Sequence, residues 1–151
     1  MGSVHKRSGH EITRKWSSHL TLAEFSDQTV MDEFEPVGCY KDKGNQRALP
    51  VLLKSFRKLI NWHNVTASFM AVIRACASVA QQHGFRYFGI QDYGECWSGK
   101  NGDLSYKRHG KSYKCNGLAH GVGEAWTNFV YRFVRGAFSI STSKHFLYEL
   151  A

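Results

Sequence analysis

Apolar positions in "TASFMAVIRACASVAQQHG", residues 66–84, recur every three to four residues. Phe69, Val72, Ile73, Cys76, Val79 and Ala80 fall on one stripe. That period predicts an amphipathic α-helix with Cys76 turned to the core. Thr66 or Ser68 is placed to cap it, and Gly84 to close it in a left-handed conformation. "FRYFGIQ", 85–91, concentrates aromatic and β-branched residues as a strand does, and "NFVYRFV", 128–134, reads as a late strand. "PVGCYKD", 36–42, reads as an opening strand and turn. In "RALPVLLKSFRKLINW", 47–62, Leu49, Leu52, Leu53, Phe56, Leu59 and Ile60 follow a helical period. Pro50 there suits the first turn of a helix.

The stretch 98–125 is long and rich in Gly, Ser and Lys, with Cys115 in its middle. A loop of that length either binds something or is pinned by a cross-link. Residues 1–35 are polar with segregated charge and read as an N-terminal tail, with a short helix around "LTLAEF"; Pro36 marks the boundary. Residues 135–151 read as a C-terminal tail or an edge strand. The pattern predicts one α+β module over 36–134, with a central helix packed on a short antiparallel sheet and a long loop over 98–125.

Composition supports a real core: 42% of the 151 residues are hydrophobic and 14% aromatic, which argues against wholesale disorder. The apolar stretches are short and interrupted, so no membrane-spanning helix is expected. The N-terminus is basic but has no apolar segment of the kind a signal peptide needs. Taken literally, that predicts an intracellular protein; a fragment or a mis-assigned start is the equal alternative. The net charge of +8 is uneven. Glu24, Asp27, Asp32, Glu33 and Glu35 form an acidic stretch. Lys41, Lys43, Arg47, Lys54, Arg57 and Lys58 face only Asp42, and a second basic run spans 100–114. Basic runs of this kind are solvated surface or attract anions such as nucleic acid, anionic glycans or acidic headgroups.

"FGIQDYGECWSG", 88–99, sets a cysteine and a tryptophan beside an acid in a glycine-closed turn. Read as a nucleophile, Cys96 followed by Trp97 resembles the papain-type motif, with His109, His120 or His145 as base. A nucleophile of that class opens a helix, whose N-terminus lowers the thiol pKa, whereas Cys96 ends a strand. No catalytic residue is therefore assigned. The cysteines form no CxxC or paired Cys/His knuckle and the histidines show no ligand spacing, so neither a metal site nor a cofactor is expected. Cys39, Cys76, Cys96 and Cys115 fit two disulfides, with three pairings open. Asn64-Val65-Thr66 is an N-glycosylation sequon and favours the secretory route.

Several pieces, in order, resemble the WSC domain and, more widely, the small PAN/apple-type extracellular modules. They are Gly38-Cys39-Tyr40-Lys41-Asp42, then Arg47-Ala48-Leu49, a helix bearing Cys76, and Gly84-Phe85. Phe88-Gly89-Ile90-Gln91, Gly94-Glu95-Cys96-Trp97 and a closing "GVGEAWTNFVY" follow. The likeness covers about 37–132. The family's helix carries a second cysteine where this chain has Ala80, and its strand another where this chain has Ser98. The resemblance implies that one bridge has been lost as a unit. It leaves Cys76 paired with Cys96 and Cys39 with Cys115.

It also implies an extracellular, non-catalytic module for carbohydrate. The loop 97–116 offers Trp97, Asn101, Asp103, Tyr106 and Tyr113, ringed by Lys100, Lys107, Arg108, Lys111 and Lys114. Aromatic faces with a polar rim suit sugars, and the charge favours acidic or sulfated glycans. Trp97 either stacks in the core or presents its face to a ligand, and Glu95 reads as a hydrogen-bonding turn residue. A second reading is a protein or matrix partner met by Lys54, Arg57, Lys58 and Trp62. Nucleic acid is a third, with interleaved Tyr, Lys and Arg but no nucleic-acid-binding signature behind it.

Overall fold

In the computed structural model, which describes residues 33–117 and 119–134, the chain enters as strand β1 (Phe34–Lys41) and turns through 42–50 into β2 (Val51–Ser55). A 3-10 turn (Arg57–Leu59) leads to helix α1 (Val65–Gln82). Strands β3 (Tyr87–Gln91) and β4 (Glu95–Ser98) form a hairpin, followed by the short helix α2 (Gly102–Ser105). A small pair, β5 (Cys115–Asn116) and β6 (Val122–Gly123), precedes the last strand, β7 (Thr127–Phe133). The main sheet has the order β1-β7-β3-β4-β2, and every neighbouring pair in it is antiparallel. The architecture is α+β with two disulfides, as the patterning predicts. The final strand sits between the first and the third, so the sheet is not complete until β7 is made.

Helix α1 packs its apolar stripe on one face of this sheet. Phe69, Val72, Ile73, Cys76, Ala77 and Ala80 meet Phe88 and Ile90 of β3, Cys96 of β4, and Phe129, Tyr131 and Phe133 of β7. Full burial of the Val, Ile and Phe side chains among them contributes about 1.5–3 kcal/mol each. Val79 is only half-buried, and Ala77 takes its place on the buried side. The helix starts at Val65, earlier than expected, because Asn64 is its cap: Asn64 Oδ1 accepts from the Ala67 amide at 3.4 Å. Ser68 is instead buried, its hydroxyl accepting from the Asn61 amide at 2.8 Å. Gly84 closes the helix as expected, at φ +73. The amides of Gly84 and Phe85 donate back to the carbonyls of Gln81 and Ala80 at 2.9 and 3.1 Å.

The helix expected over 50–62 is not formed. Val51–Ser55 is the edge strand β2, paired with β4 with Val51 opposite Ser98 and Ser55 opposite Glu95, and only the single 3-10 turn follows. The local helical period loses to the open edge of β4, whose backbone groups need a partner. Pro50 adjoins Gly99, where a Cβ would lie 2.8 Å from its ring. At the other edge β1 begins at Phe34, upstream of Pro36. The register slips between Pro36 and Gly38, an irregularity where proline is tolerated on an edge strand. The tails 1–32 and 135–151 lie outside the described residues.

Both disulfides implied by the resemblance are present: Cys76–Cys96 between α1 and β4, and Cys39–Cys115 between β1 and β5. Ala80 and Ser98, where the family has its extra cysteines, are both fully buried. Among the described residues no helix is long and apolar enough to cross a membrane.

Candidate functional site

The sheet face turned away from α1 is covered by the 42–50 turn and the segment 99–114, and its chemistry is different. Alternation along the strands places Tyr87, Gly89 and Gln91, Glu95 and Trp97, and Asn128 and Val130 on this side. Gln91 and Asn128 are buried here. A Cβ on Gly89 would fall 2.8 Å from Leu49 and 2.9 Å from Asn128, so the turn sits directly on the sheet.

Asp42 organises that turn. Its Oδ1 accepts from the amides of Lys43 (2.9 Å) and Ala48 (2.8 Å), and its Oδ2 accepts from Arg47 Nη1 at 2.9 Å. The orientation of the Gln91 amide that satisfies its neighbours donates to Asp42 Oδ2 at 3.0 Å and accepts from Arg47 at 2.8 Å. Arg47 is thereby held through Nη1 by a charge-assisted bond to Asp42 and a second bond to Gln91, and its guanidinium is shared by two indoles. Its Cζ lies 4.0 Å from the Trp97 ring centre and 4.8 Å from that of Trp126.

The two tryptophans differ in what they leave free. Trp97 is buried, with its Nε1 donating to Glu95 Oε2 at 3.0 Å. Trp126 is 54% exposed. Its backbone stands at φ +58, a left-handed conformation that costs a side-chain-bearing residue about 1–2 kcal/mol. The surroundings hold it there: its carbonyl accepts from the Asp42 amide at 2.8 Å, and its ring closes on Gly44, where a Cβ would come within 3.0 Å. Backbone strain maintained in this way is a mark of functional positions.

The basic loop is stitched to the same end of the sheet. His109 Nε2 donates to the Gln46 carbonyl at 2.6 Å. The Lys41 amide donates to Gly110, and the Ser112 amide to Cys39, both at 3.0 Å. Ser112 and Thr127 share a hydroxyl bond at 3.2 Å, and the Glu124 amide donates to Lys114 at 2.9 Å. Lys111 and Tyr113 therefore flank the turns that carry Arg47 and Trp126, with their side chains in solvent and Tyr113 fully exposed.

The other sequence-predicted residues are placed differently. Tyr106 is half-buried, stacked on Tyr87 at 5.5 Å and edge-on to Tyr40 at 4.9 Å, so it props the loop against the sheet. Burial, and then Tyr106 beside it, pushes the Tyr40 phenol above its usual range. Lys107 and Arg108 are exposed beyond α2, with Lys107 Nζ 5.9 Å from the Tyr106 ring. Asn101 opens α2, exposed, over the region where Gly102 packs on Tyr87 and Leu49. No contact joins it to Trp126. Glu95 accepts a hydrogen bond, as expected, but from the neighbouring indole. Lys54 lies on β2, Arg57 and Lys58 in the 3-10 turn, and Trp62 beyond it. Among the described residues no group of His, Cys, Asp and Glu could hold a metal ion.

Patterning does not single out Arg47 or Trp126 as site residues. The available signals are the acid five residues before Arg47 and an aromatic residue between a glycine-rich stretch and a strand. A model of the WSC domain family matches residues 36–123, more than half of the chain. The match takes in the Asp42–Arg47 turn and both disulfides and stops just short of Trp126. No curated protein matches the chain.

Proposed function

The chain belongs to the WSC domain family, extracellular modules of carbohydrate-binding type, and on that premise we propose that it is a non-catalytic module for acidic or sulfated glycans, read by the exposed face of Trp126. The observation that carries this reading is the ordered stack of Trp97, Arg47 and Trp126, with one indole face left to solvent. An indole offers a flat apolar surface with a negative face, onto which the C–H side of a sugar ring packs. Held rigid before the ligand arrives, it loses little freedom on binding.

The polar rim sets the ligand class. Arg47 is neutralised by Asp42, but Lys41, Lys43, Lys111 and Lys114 around it are exposed. A carboxylate or sulfate on the sugar meets these ammonium groups, and Lys107 and Arg108 extend the positive field along the loop. Tyr113 adds a second aromatic face, Trp97 supports the first from below, and Tyr106 and Asn101 hold and border the loop.

Binding of the full chain to neutral oligosaccharides, a polyuronate and heparin tests this reading. Binding to the anionic glycans, with at least a tenfold loss for Trp126→Ala at an unchanged unfolding midpoint, is the expected result. Replacing Lys107, Arg108 and Lys111 with Gln should weaken binding and flatten its salt dependence. Competition with single-stranded DNA ranks the polyanions, since salt dependence alone does not separate them. Absence of glycan binding, or binding indifferent to Trp126, overturns the proposal.

A further inference from the structure

A second exposed tryptophan, Trp62, is as firmly held as Trp126 and takes no part in that site. It is 52% exposed. Its ring meets Tyr93 edge-on at 5.9 Å, and the Arg57 guanidinium lies 5.4 Å from its centre. Arg57 is in turn ion-paired to Asp92. Asp92 and Tyr93, at φ 45 and 64, lie in the three-residue β3–β4 connection, where the Gly94 amide donates to Gln91. Their own amides donate to the Glu124 and Gly123 carbonyls at 3.2 and 2.8 Å, so Tyr93 and Asp92 are fixed points against which Trp62 rests.

The sequon follows directly. Asn61, Trp62, His63 and Asn64 make a tight turn in which the Asn64 amide donates to the Asn61 carbonyl at 2.9 Å. The His63 amide donates to Asn61 Oδ1 at 3.0 Å. Trp62 and Asn64 thus project from one turn, two residues apart. The Asn64 side chain is divided in its duties. Oδ1 caps α1 through Ala67, and Nδ2, on an exposed residue, has no such task. Thr66 of the sequon is exposed as well.

We propose that Asn64 carries an N-linked glycan whose first sugar packs on the exposed face of Trp62. The attachment uses a lipid-diphosphate-linked oligosaccharide. Asn64 Nδ2 forms a bond to sugar C1, the C1–phosphate bond breaks, and the lipid diphosphate leaves while Nδ2 gives up one proton. The cap survives, because the amide oxygen is untouched. Packing the sugar on the indole covers an apolar face that would otherwise stand in water, beside the similarly exposed Leu59.

The full chain, directed through the secretory route of a glycosylating cell and verified to hold both disulfides, provides the test. Peptide mapping should find a glycan on Asn64 and none in Asn64→Gln. Hydroxyl-radical footprinting should oxidise Trp62 several-fold more slowly in the glycosylated protein than after the glycan is trimmed. Trimming should lower the unfolding midpoint of the parent but leave that of Trp62→Ala unchanged. An unmodified Asn64 overturns the proposal, as does a glycan whose removal alters neither Trp62 oxidation nor the midpoint. Glycan binding at Trp126 is measured separately, so failure of either reading leaves the other standing.

Discussion

The two faces of the sheet are built on opposite principles. Toward α1 the contacts are aliphatic and aromatic, and the buried disulfide Cys76–Cys96 runs through them. Toward the loop the sheet carries a buried carboxylate, a guanidinium, the Gln91 amide and a set of tyrosines. The first face is held by burial, which needs only suitable volume. The second is held by directed bonds, each of which needs a particular partner. Burial therefore gives this module its stability, and the directed bonds give it a shaped surface.

Both disulfides adjoin the α1-side core, and the largest test of that face is to remove each as a Cys→Ala pair and compare urea unfolding. The closed loops are 76 residues for Cys39–Cys115 and 20 for Cys76–Cys96. Chain entropy alone gives about 4.5 against about 3.3 kcal/mol. The Cys39–Cys115 pair should be the more costly by about 1 kcal/mol. The reverse order would show that burial of sulfur in the core outweighs restriction of the unfolded chain.

Next in size is Asp42→Ala, expected to cost about 2–3 kcal/mol. It strips Arg47 of its counter-charge and leaves two turn amides without an acceptor. The value falls below that of a fully buried pair because the Arg47 side chain keeps 22% of its exposure. Asp42→Asn should lose less, since the amide oxygen can still accept from the turn. Equal losses would mean that the charge contributes nothing.

The smallest effect appears only in alkali and draws one tyrosine from each face. Tyr131, on the α1 side, donates its hydroxyl to the Gly121 carbonyl and accepts from the Gly121 amide. Burial pushes its phenol far above the usual range. Tyr40, on the far side, is raised as well. A folded-state value above the unfolded one contributes stability that is complete below about pH 10 and is lost as the pH climbs further. For Tyr131 the slope approaches about 1.4 kcal/mol per pH unit, and Tyr40 adds in the same direction. Unfolding midpoints between pH 9 and 11 should fall, and Tyr131→Phe and Tyr40→Phe should each remove part of the fall.

The same contrast explains what could be read in the residues. Phe69 to Ala80 repeat at the helical period and Tyr87 to Gln91 alternate, because a face held by burial imprints its geometry on the order of apolar residues. Leu49 to Ile60 carry a helical period too, yet Val51–Ser55 within them forms an edge strand, because the decisive fact is the empty side of β4, which no local pattern records. Arg47 reads as one more base in a basic run. Its partner is the single acid of that run, Asp42, and only the folded turn shows that the two are paired. Trp126 is equally hidden: what sets it apart is a backbone conformation and a neighbour, Gly44, far away in the chain.

The Cys39–Cys115 bond lets the molecule stay in one piece after its exposed loop is cut. Lys107 and Arg108 stand in solvent between α2 and the cross-link, where a trypsin-like protease finds them. A cut there divides the chain after β4 and α2, with β7 on the second piece. The two pieces remain covalently joined through Cys39 and Cys115, and β7 stays hydrogen-bonded between β1 and β3. On a gel such a nicked molecule runs as one band until a reductant is added, and then as two.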